Sequence, residues 1–416
     1  MSASQACPPP TLFIISLLVP ASILGTLTRI GVTNLLTFTG TTLEPPVIWA
    51  QIVGCAVFGG ALQNKAYIEA IVLRGRKGRR AGGHDGNGSK NDLRLGTALY
   101  TALTSGYCGS VTTYSTWILD VFLAWANFEN IPRSGGKSFL EGLTQTFVTL
   151  LASAAALRLG MKLAEKDEPF CLENLIPPSW TVEAEAAPFS DEAHSMGNAD
   201  AGSSSNGIQH AVDDPNALAE SRRRKQRVGA HRLIYIVAAL FAIGLLVMLS
   251  LLAALYEPTR PTSLALVFSP PGAILRWYLS RYNGKAVRSA VAARQRQRLG
   301  ASGFPHGTFW ANILGVLVLC GTYTVLHVSR SPPEATPQLS KLTCDVVGSG
   351  FETGFSGALS TVSTFVAELY THGAGLDTRK AAVMYGAISY SWSILAAAFL
   401  IGVPIGSLHY VNRCQY

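Results

Sequence analysis

"GYCGSVTTYSTW", residues Gly106–Trp117, interrupts a segment that is otherwise apolar enough to cross a membrane. It contains two glycines, three threonines and two serines, which is a poor composition for a helix exposed to lipid. A second stretch of the same kind, "GFSGALSTVSTF", spans Gly354–Phe365. Two such interruptions in one chain indicate that their polar residues serve a purpose inside the membrane.

The composition is that of a membrane protein. Of the 416 residues, 48% are hydrophobic and only 14% are charged, whereas soluble proteins carry about 25% charged residues. Apolar runs of roughly 20 residues, the length of a spanning helix, predict nine transmembrane helices. Their predicted spans are 11–30, 46–66, 95–125, 141–160, 232–256, 261–281, 305–328, 345–370 and 381–408. No basic residue precedes the first run, so we interpret it as a helix rather than a signal peptide.

The segment 163–230 differs from the rest of the chain. It is acidic and rich in Ser, Gly and Asn, and it ends in the basic run "SRRRKQR". It has too little apolar surface to order itself. We therefore predict an N-terminal four-helix repeat (1–162), a disordered cytoplasmic linker (163–230), a connecting transmembrane helix (231–257) and a C-terminal four-helix repeat (258–416).

Basic residues orient the predicted helices. The net charge is +8, and Lys and Arg concentrate in three segments, at 74–80, 221–227 and 281–298. All three fall on one side if the N-terminus is cytoplasmic, which places the C-terminus outside. Basic cytoplasmic loops account for the charge, so no nucleic-acid partner is expected. The seven cysteines are odd in number, scattered and without CxxC spacing, which argues against a zinc site or a disulfide framework.

The two four-helix units are copies of each other. "GTLTRI" matches "GAILRW", "AQIVG" matches "ANILG", and the two interrupting stretches match as well. The matches keep their order, their helix position and nearly the same offset, which indicates an internal duplication. The matched pairs are Arg29 with Arg276, Gln51 with Asn312, Thr112–Trp117 with Ser360–Phe365, and Asp120 with Glu368.

The single connecting helix turns the second copy upside down relative to the first. The predicted fold class is therefore an all-α membrane protein of two inverted four-helix repeats, with the third helix of each repeat broken. Such proteins place their sites near the midplane, on broken helices where the repeats meet. Non-helical backbone is tolerated at that depth only where protein or a water-filled path satisfies it.

These motifs resemble those of the CrcB/Fluc fluoride channels, and the fused form resembles the eukaryotic fluoride export proteins. That family carries GAxxR[YW], an NxxG helix and GxxGxxTTFSTFxxE. The second half of this chain has "GAILRW", "NILG" and "GFSGALSTVSTFVAE", and the first half has a diverged copy. The resemblance covers both repeats but not the linker. It implies a passive, selective fluoride channel, with fluoride and the lipid bilayer as its partners.

The resemblance implies two antiparallel pores, each lined by aromatics from both repeats. One pairs Tyr114 with Phe365, and the other pairs Val362 with Trp117. Because Val362 supplies no ring edge, we predict that the first pore is active and the second degenerate. Packing of these rings in the core is the alternative.

Further pore residues are predicted from the resemblance and from helical spacing. For most of them a plain structural role, as interhelical amides or back-bonding hydroxyls, stays open. The predicted active pore also contains Asn312, Thr361, Ser363, Tyr385, Ser389, Ser393 and Glu368, and the degenerate pore contains Gln51, Thr149 and Ser153.

The family also has a structural sodium ion held by backbone carbonyls at the helix breaks. The matching positions here are Gly109, Thr112, Gly357 and Ser360. Arg29 and Arg276 are predicted at helix ends, either at the membrane interface or in an anion-attracting vestibule.

Three other functions are weighed against the channel. An enzyme is not expected, because the chain has no HExxH, nucleophile elbow or P-loop. A proton-coupled transporter using Glu352 or Glu368 is the main alternative, since intramembrane acids are functional candidates. A non-conducting structural paralogue is the third. The fused form predicts a monomer in which the two repeats form a pseudo-dimer, located in the plasma membrane of a eukaryote.

Overall fold

The computed structural model describes residues 11–37, 47–65, 68, 95–128, 131–166, 215–283, 304–372 and 376–414. The basic loop 74–80, most of the basic loop 281–298 and the linker residues 167–214 lie outside these ranges, as do Cys7 and Cys171.

The helices of the first unit follow the predicted order. In α3 the first half, 95–111, includes a π-helical stretch at Ala102–Cys108 and a last turn at Gly109–Val111. The elements are α1 Thr11–Leu36, α2 Val47–Gln63, α3 with its second half at Tyr114–Ala126, α4 Gly135–Lys166 and the connecting helix α5 Pro215–Leu255.

The second unit repeats this pattern. Its α8 is broken like α3, with a first half made of Lys341–Cys344, a π-helical Asp345–Ser356 and a turn at Gly357–Leu359. The other elements are 3-10 turns at Glu257–Thr259 and Pro333–Ala335, α6 Arg260–Ser280, α7 His306–His327, the second half of α8 at Val362–His372, and α9, which runs from Leu376–Ala397 through Ala398–Gly402 to Val403–Ser407.

Five of the described helices are long and apolar enough to cross a membrane. They are Thr11–Leu36, Gly135–Glu165, Leu233–Leu255, His306–His327 and Arg379–Ser407. The α2 helix is apolar but shorter, and α3 and α8 are interrupted. The protein is thus mostly helical with several apolar helices, as predicted, while the count of nine spans and their inverted arrangement stay predictions.

The two units pack by the same pattern of helix pairs. The first half of α3 packs on α1 and α2 packs on α4; the first half of α8 packs on α6 and α7 packs on α9. The second halves of the broken helices cross over: that of α3 contacts α7 and α9, and that of α8 contacts α2 and α4. The connecting helix α5 lies against α1 and α6. The breaks therefore lie where the two units interlock.

The connecting helix begins earlier than predicted. It starts at Pro215, whereas the predicted linker extends to 230. The residues from 215 to 230 include a proline at the helix start and then Ala, Leu, Glu, Arg, Lys and Gln, which favour helix. The charge of "SRRRKQR" indicated solvent exposure, but solvent exposure does not exclude a helix.

The cysteine pattern argued against a disulfide framework, but the structure contains a disulfide that the sequence did not predict. Cys344 is bonded to Cys414 across 70 residues of sequence. Two short strands, β1 Val328–Ser329 and β2 His409–Tyr410, pair antiparallel and bring the C-terminal segment against the α7–α8 loop. Sequence spacing carried no sign of this pairing, because a pair of strands folded beside the helices creates it.

Close backbone packing joins α2 to α4. A Cβ added at Gly59 would collide with the Leu157 carbonyl, and one added at Gly160 would collide with the Ala56 carbonyl. The adjacent Gly60 has room, since the nearest atom to an added Cβ is the Gly160 oxygen at 3.7 Å. Small residues let membrane helices approach this closely.

We predict that Gly59→Ala lowers the melting temperature of the purified protein by several degrees, because the added methyl group would push α2 away from α4. Gly60→Ala is the matched control and should not lower the melting temperature, since the added methyl has room and Ala favours a helix interior over Gly by ~1 kcal/mol. Thermal melts followed by tryptophan fluorescence check this. Equal melting temperatures for the two variants would contradict close backbone contact at Gly59.

Candidate functional site: the crossing of the broken helices

The backbone leaves the helical conformation at equivalent points in the two units. Thr112 (φ −92°, ψ 142°) and Thr113 (φ −135°, ψ 121°) are extended in α3, and Ser360 (φ −90°, ψ 156°) is extended in α8. The N–H groups of Thr112 and Ser360 still donate to the Cys108 and Ser356 carbonyls, at 3.1 and 3.0 Å, but the residues that follow them, Thr113 and Thr361, do not continue the hydrogen-bond pattern of the helix. Their N–H and C=O groups are buried, so side chains must supply partners.

Two amide side chains supply those partners in the same way. Thr361 N–H donates to Asn312 Oδ1 at 2.8 Å, and Asn312 Nδ2 donates to the Thr361 carbonyl at 3.3 Å. Thr113 N–H donates to Gln51 Oε1 at 3.2 Å, and Gln51 Nε2 donates to the Thr113 carbonyl at 2.6 Å. Gln51 and Asn312, which match in the sequence repeat, therefore also make equivalent hydrogen bonds in the structure. Each amide keeps one N–H beyond these bonds.

Hydroxyl groups from both units meet between the breaks. Thr112 Oγ1 lies 3.0 Å from Thr361 Oγ1 and accepts a hydrogen bond from Ser363 N–H at 3.2 Å. In the mirrored position, Ser115 N–H donates to Ser360 Oγ at 3.0 Å. These side chains are fully buried. The crossing is thus a polar core in which each break is satisfied partly by the other unit.

The predicted interfacial position of the two arginines is wrong. Arg29 and Arg276 are only 5% and 4% exposed. Arg29 donates to the Thr353 carbonyl of α8. Arg276 donates to carbonyls of α3, including that of Gly109 at 2.5 Å. Because α1 continues to Leu36 and α6 to Ser280, the arginines lie before the helix ends and point inward.

The same contacts bear on the predicted sodium ion. Two of its four predicted carbonyl ligands, those of Gly109 and Ser360, accept hydrogen bonds from Arg276, at 2.5 and 3.3 Å. An arrangement with a guanidinium group on two carbonyls does not fit an ion bound by all four, because the two cations would repel each other. Sodium binding stays a prediction, and no step of transport is assigned to it.

The aromatic residues of the first predicted pathway lie together in the structure. The ring centroids of Tyr114 and Phe365 are 5.2 Å apart at 67°, and those of Phe365 and Tyr385 are 5.4 Å apart. Ser393 Oγ donates to the Tyr114 hydroxyl at 3.4 Å. Ser389 lies one helical turn from both Tyr385 and Ser393 on α9 and is buried. These residues form a continuous line of ring edges and hydroxyl groups.

Glu368 lies at one end of this line. Its carboxylate accepts hydrogen bonds from the hydroxyls of Tyr385 at 2.8 Å and Thr308 at 2.5 Å, and from Asn283 Nδ2 at 3.0 Å. The carboxylate therefore fixes the Tyr385 phenol and ties α8 to the segment that follows α6. Glu352, whose role the sequence left open, is in the π-helical part of α8. Its side chain lies beside that of Thr322 on α7.

The residues of the second predicted pathway are buried in the same region of the protein. Trp117 contacts the first line rather than a partner ring, with its ring 5.3 Å from that of Tyr114, and it also lies 5.9 Å from Tyr390. Val362 is fully buried in the same apolar cluster, and Thr149 and Ser153 are buried on α4. Trp117 Nε1 and Thr149 Oγ1 have no hydrogen-bond partner among the residues that the structure describes.

Some residues of the site carried no sequence signal. Asn283 belongs to a basic loop, and Phe304, whose ring lies 5.2 Å from that of Tyr385, precedes α7. Ser356, which lies 2.9 Å from Ser115 Oγ and donates to the Gly315 carbonyl at 2.8 Å, is part of the quoted glycine-rich stretch but has Cys108 as its counterpart. The repeat comparison could have shown it only as a mismatch.

Comparison with known proteins decides the family. The family model described as "CrcB-like protein, Camphor Resistance (CrcB)" matches residues 16–161 and 263–403, which include both breaks and both arginines. The chain belongs to the CrcB family. It is a CrcB-family membrane protein with two copies of the family unit, as the duplication predicted.

Similar proteins extend over most of the chain. Fluoride export protein 1 of Candida albicans is 24% identical over 388 residues, covering 92% of this chain and 78% of that protein. Fluoride export protein 1 of Neurospora crassa is 27% identical over 433 residues, covering 96% of this chain and 67% of that protein. The protein of the same name in Saccharomyces cerevisiae is 24% identical over 410 residues, with 92% and 90% covered. No solved structure matches this CrcB-family chain.

We predict that Asn312→Ala destabilises the protein by about 1–3 kcal/mol, because the buried N–H and C=O of Thr361 would lose their partners. Gln51→Ala should have an effect of similar size through Thr113. Thr144→Ala is the control, since that exposed hydroxyl bonds only to the Leu140 carbonyl of its own helix. Thermal melts of the three variants check this, and unchanged melting of Asn312→Ala would exclude a structural role for its amide.

Proposed function

We propose that this protein is a passive, selective fluoride channel that exports fluoride from the cytosol across the plasma membrane. Family membership and relatives named fluoride export proteins support the ion. The observation that carries the mechanism is the line of ring edges and hydroxyls formed by Phe365, Tyr114, Tyr385 and Ser393.

The chemistry of this line suits fluoride. A small, strongly hydrated anion must exchange the hydrogen bonds of water for equivalent ones, and it must not be held too tightly to leave. Hydroxyl donors and the positive edges of aromatic rings offer weak, neutral contacts of that kind. The carboxylate of Glu368 is already bound by three donors. We assign it the positioning of Tyr385 at the pathway end.

Passive flow is sufficient for export. An inside-negative potential favours the exit of an anion by about 2.3 kcal/mol per 100 mV. The proposed channel therefore needs no coupled ion. A proton-coupled transporter remains the second candidate because Glu352 and Glu368 are acids within α8 and Glu352 lacks an assigned role.

We propose that one pathway conducts and the other is a remnant. The first has a ring at each of its two predicted positions, whereas Val362 gives the second no ring edge, and Trp117 packs on Tyr114 and Tyr390.

Fluoride efflux from liposomes, measured with a fluoride electrode, tests the function and the pathway together. The wild type should release fluoride but not chloride. Phe365→Ala should reduce the flux about tenfold or more, equivalent to a barrier higher by ~1.4 kcal/mol. Trp117→Ala, at the equivalent position of the other repeat, is the matched control and should keep much of the flux.

The outcomes separate the alternatives. Loss of flux in a folded Trp117→Ala protein would refute the assignment of the active pathway. Absence of efflux from folded wild type would refute the channel. Collapse of the proton gradient at a clamped membrane potential should leave the fluoride flux through a channel unchanged. In a proton-coupled transporter the same treatment should stop the net uphill uptake of fluoride. Glu368→Gln should then abolish the coupling between fluoride and proton movement.

The orientation of the chain is also proposed, with the N-terminus cytoplasmic and the C-terminus outside. The disulfide supports it, because Cys344 and Cys414 lie in segments predicted to be outside, on the oxidising side. The free cysteines of the described residues, Cys55, Cys108 and Cys320, are buried. The Cys344–Cys414 pair can therefore be used to determine chemically which side of the membrane the C-terminal segment faces.

We predict that a membrane-impermeant maleimide labels intact cells expressing the Cys7→Ser/Cys171→Ser variant only after treatment with an impermeant reducing agent. The added label should disappear in a further Cys344→Ser/Cys414→Ser variant. Labelling that requires permeabilised cells would place these cysteines in the cytosol and reverse the proposed orientation.

A further inference from the structure

Arg276 joins the two broken helices at the crossing. Its guanidinium donates to the Gly109 carbonyl at 2.5 Å and to the Ser105 carbonyl, both on the first half of α3. The same nitrogen that reaches Gly109, Nη1, also faces the Ala358 carbonyl and, at 3.3 Å, the Ser360 carbonyl, both in α8, so its two hydrogens are shared among three acceptors. One side chain of the second unit therefore holds carbonyls from both units.

Two of these carbonyls, those of Gly109 and Ala358, belong to the last turns of their half-helices, whereas that of Ser105 lies within the π-helical stretch of α3. The first half of α3 ends at Val111 and that of α8 ends at Leu359. The last carbonyls of a helix lack partners in the helix, and the aligned dipoles make that end negative. Two such ends meet at the crossing inside a buried core. A planar guanidinium with five N–H donors can satisfy several carbonyls at once.

The opposite arginine is a weaker version of the same arrangement. Arg29 donates to the Thr353 carbonyl, the counterpart of Ser105, but its Nη1 is buried without a hydrogen-bond partner within the described part of the chain. Glycine leaves the space that both guanidinium groups occupy: a Cβ at Gly109 would overlap Arg276, and one at Gly357 would overlap Arg29. Arg276 Nε is also buried without a partner among the described residues, so the two arginines differ in the number of carbonyls they contact rather than in being fully bonded.

We propose that the Arg276 guanidinium is the resident cation of the helix crossing and stands in the place where the family resemblance implies a sodium ion. It neutralises the two helix ends and occupies the carbonyls of Gly109 and Ser360. The proposal concerns the assembly of the crossing, and it does not depend on which ion the protein transports.

Melting temperature of the full-length protein in detergent tests the proposal. Titration with sodium chloride is compared with N-methyl-D-glucamine chloride and potassium chloride at equal ionic strength. The wild type should show no saturable shift specific to sodium, because its carbonyls are already bound. A saturable, sodium-specific rise in the wild-type melting temperature would overturn the proposal.

Variants provide the second measurement. Arg276→Ala should lower the melting temperature by several degrees more than Arg29→Ala, the matched control, because the Arg276 guanidinium contacts carbonyls of both broken helices and that of Arg29 contacts one carbonyl. If Arg276→Ala does not fold, Arg276→Lys, which keeps the charge with fewer donors, is compared with Arg29→Lys and should melt lower. A fall that is equal or smaller for the Arg276 variant would overturn the proposal.

Discussion

The extended backbone at the two helix breaks must find hydrogen-bond partners inside the protein, and the rest of the structure follows from this constraint. Lipid cannot hydrogen-bond to buried backbone groups. The partners come from Gln51 and Asn312 in the neighbouring helices and from hydroxyls of the opposite unit, such as the pair Thr112 and Thr361. Because each break uses groups from both halves, neither half can complete its own crossing alone.

This crossing also determines where the aromatic residues lie. Tyr114 and Val362 begin the second halves of α3 and α8, directly after the extended residues. The second half of each helix then packs against helices of the other unit. Tyr114 contacts Phe365 and Ser393 because its half-helix packs against helices of the other unit. The hydrogen bonds that satisfy the backbone at the crossing thus also position the rings and hydroxyls of the proposed pathway.

Much of the fold could be predicted because its signals are local or repeated. Apolar runs indicate the helices, and matched motifs pair Gln51 with Asn312, which make equivalent contacts in the structure. The direction in which a side chain points could not be predicted in this way. Arg29 and Arg276 looked like helix-end residues, and only the packing of α1 and α6 against the broken helices shows them pointing inward. The Cys344–Cys414 bond likewise depends on strands too short to leave a periodic pattern.

The unequal amides at the crossing have a consequence for how such a protein can change. Gln51 and Asn312 perform one task with side chains of different length, and Tyr114 and Val362 occupy equivalent positions with different chemistry. In an assembly of two identical chains, every mutation appears twice and must be tolerated in both places. With both copies in one gene product, a mutation affects one copy only. One half can then specialise while the other preserves the scaffold.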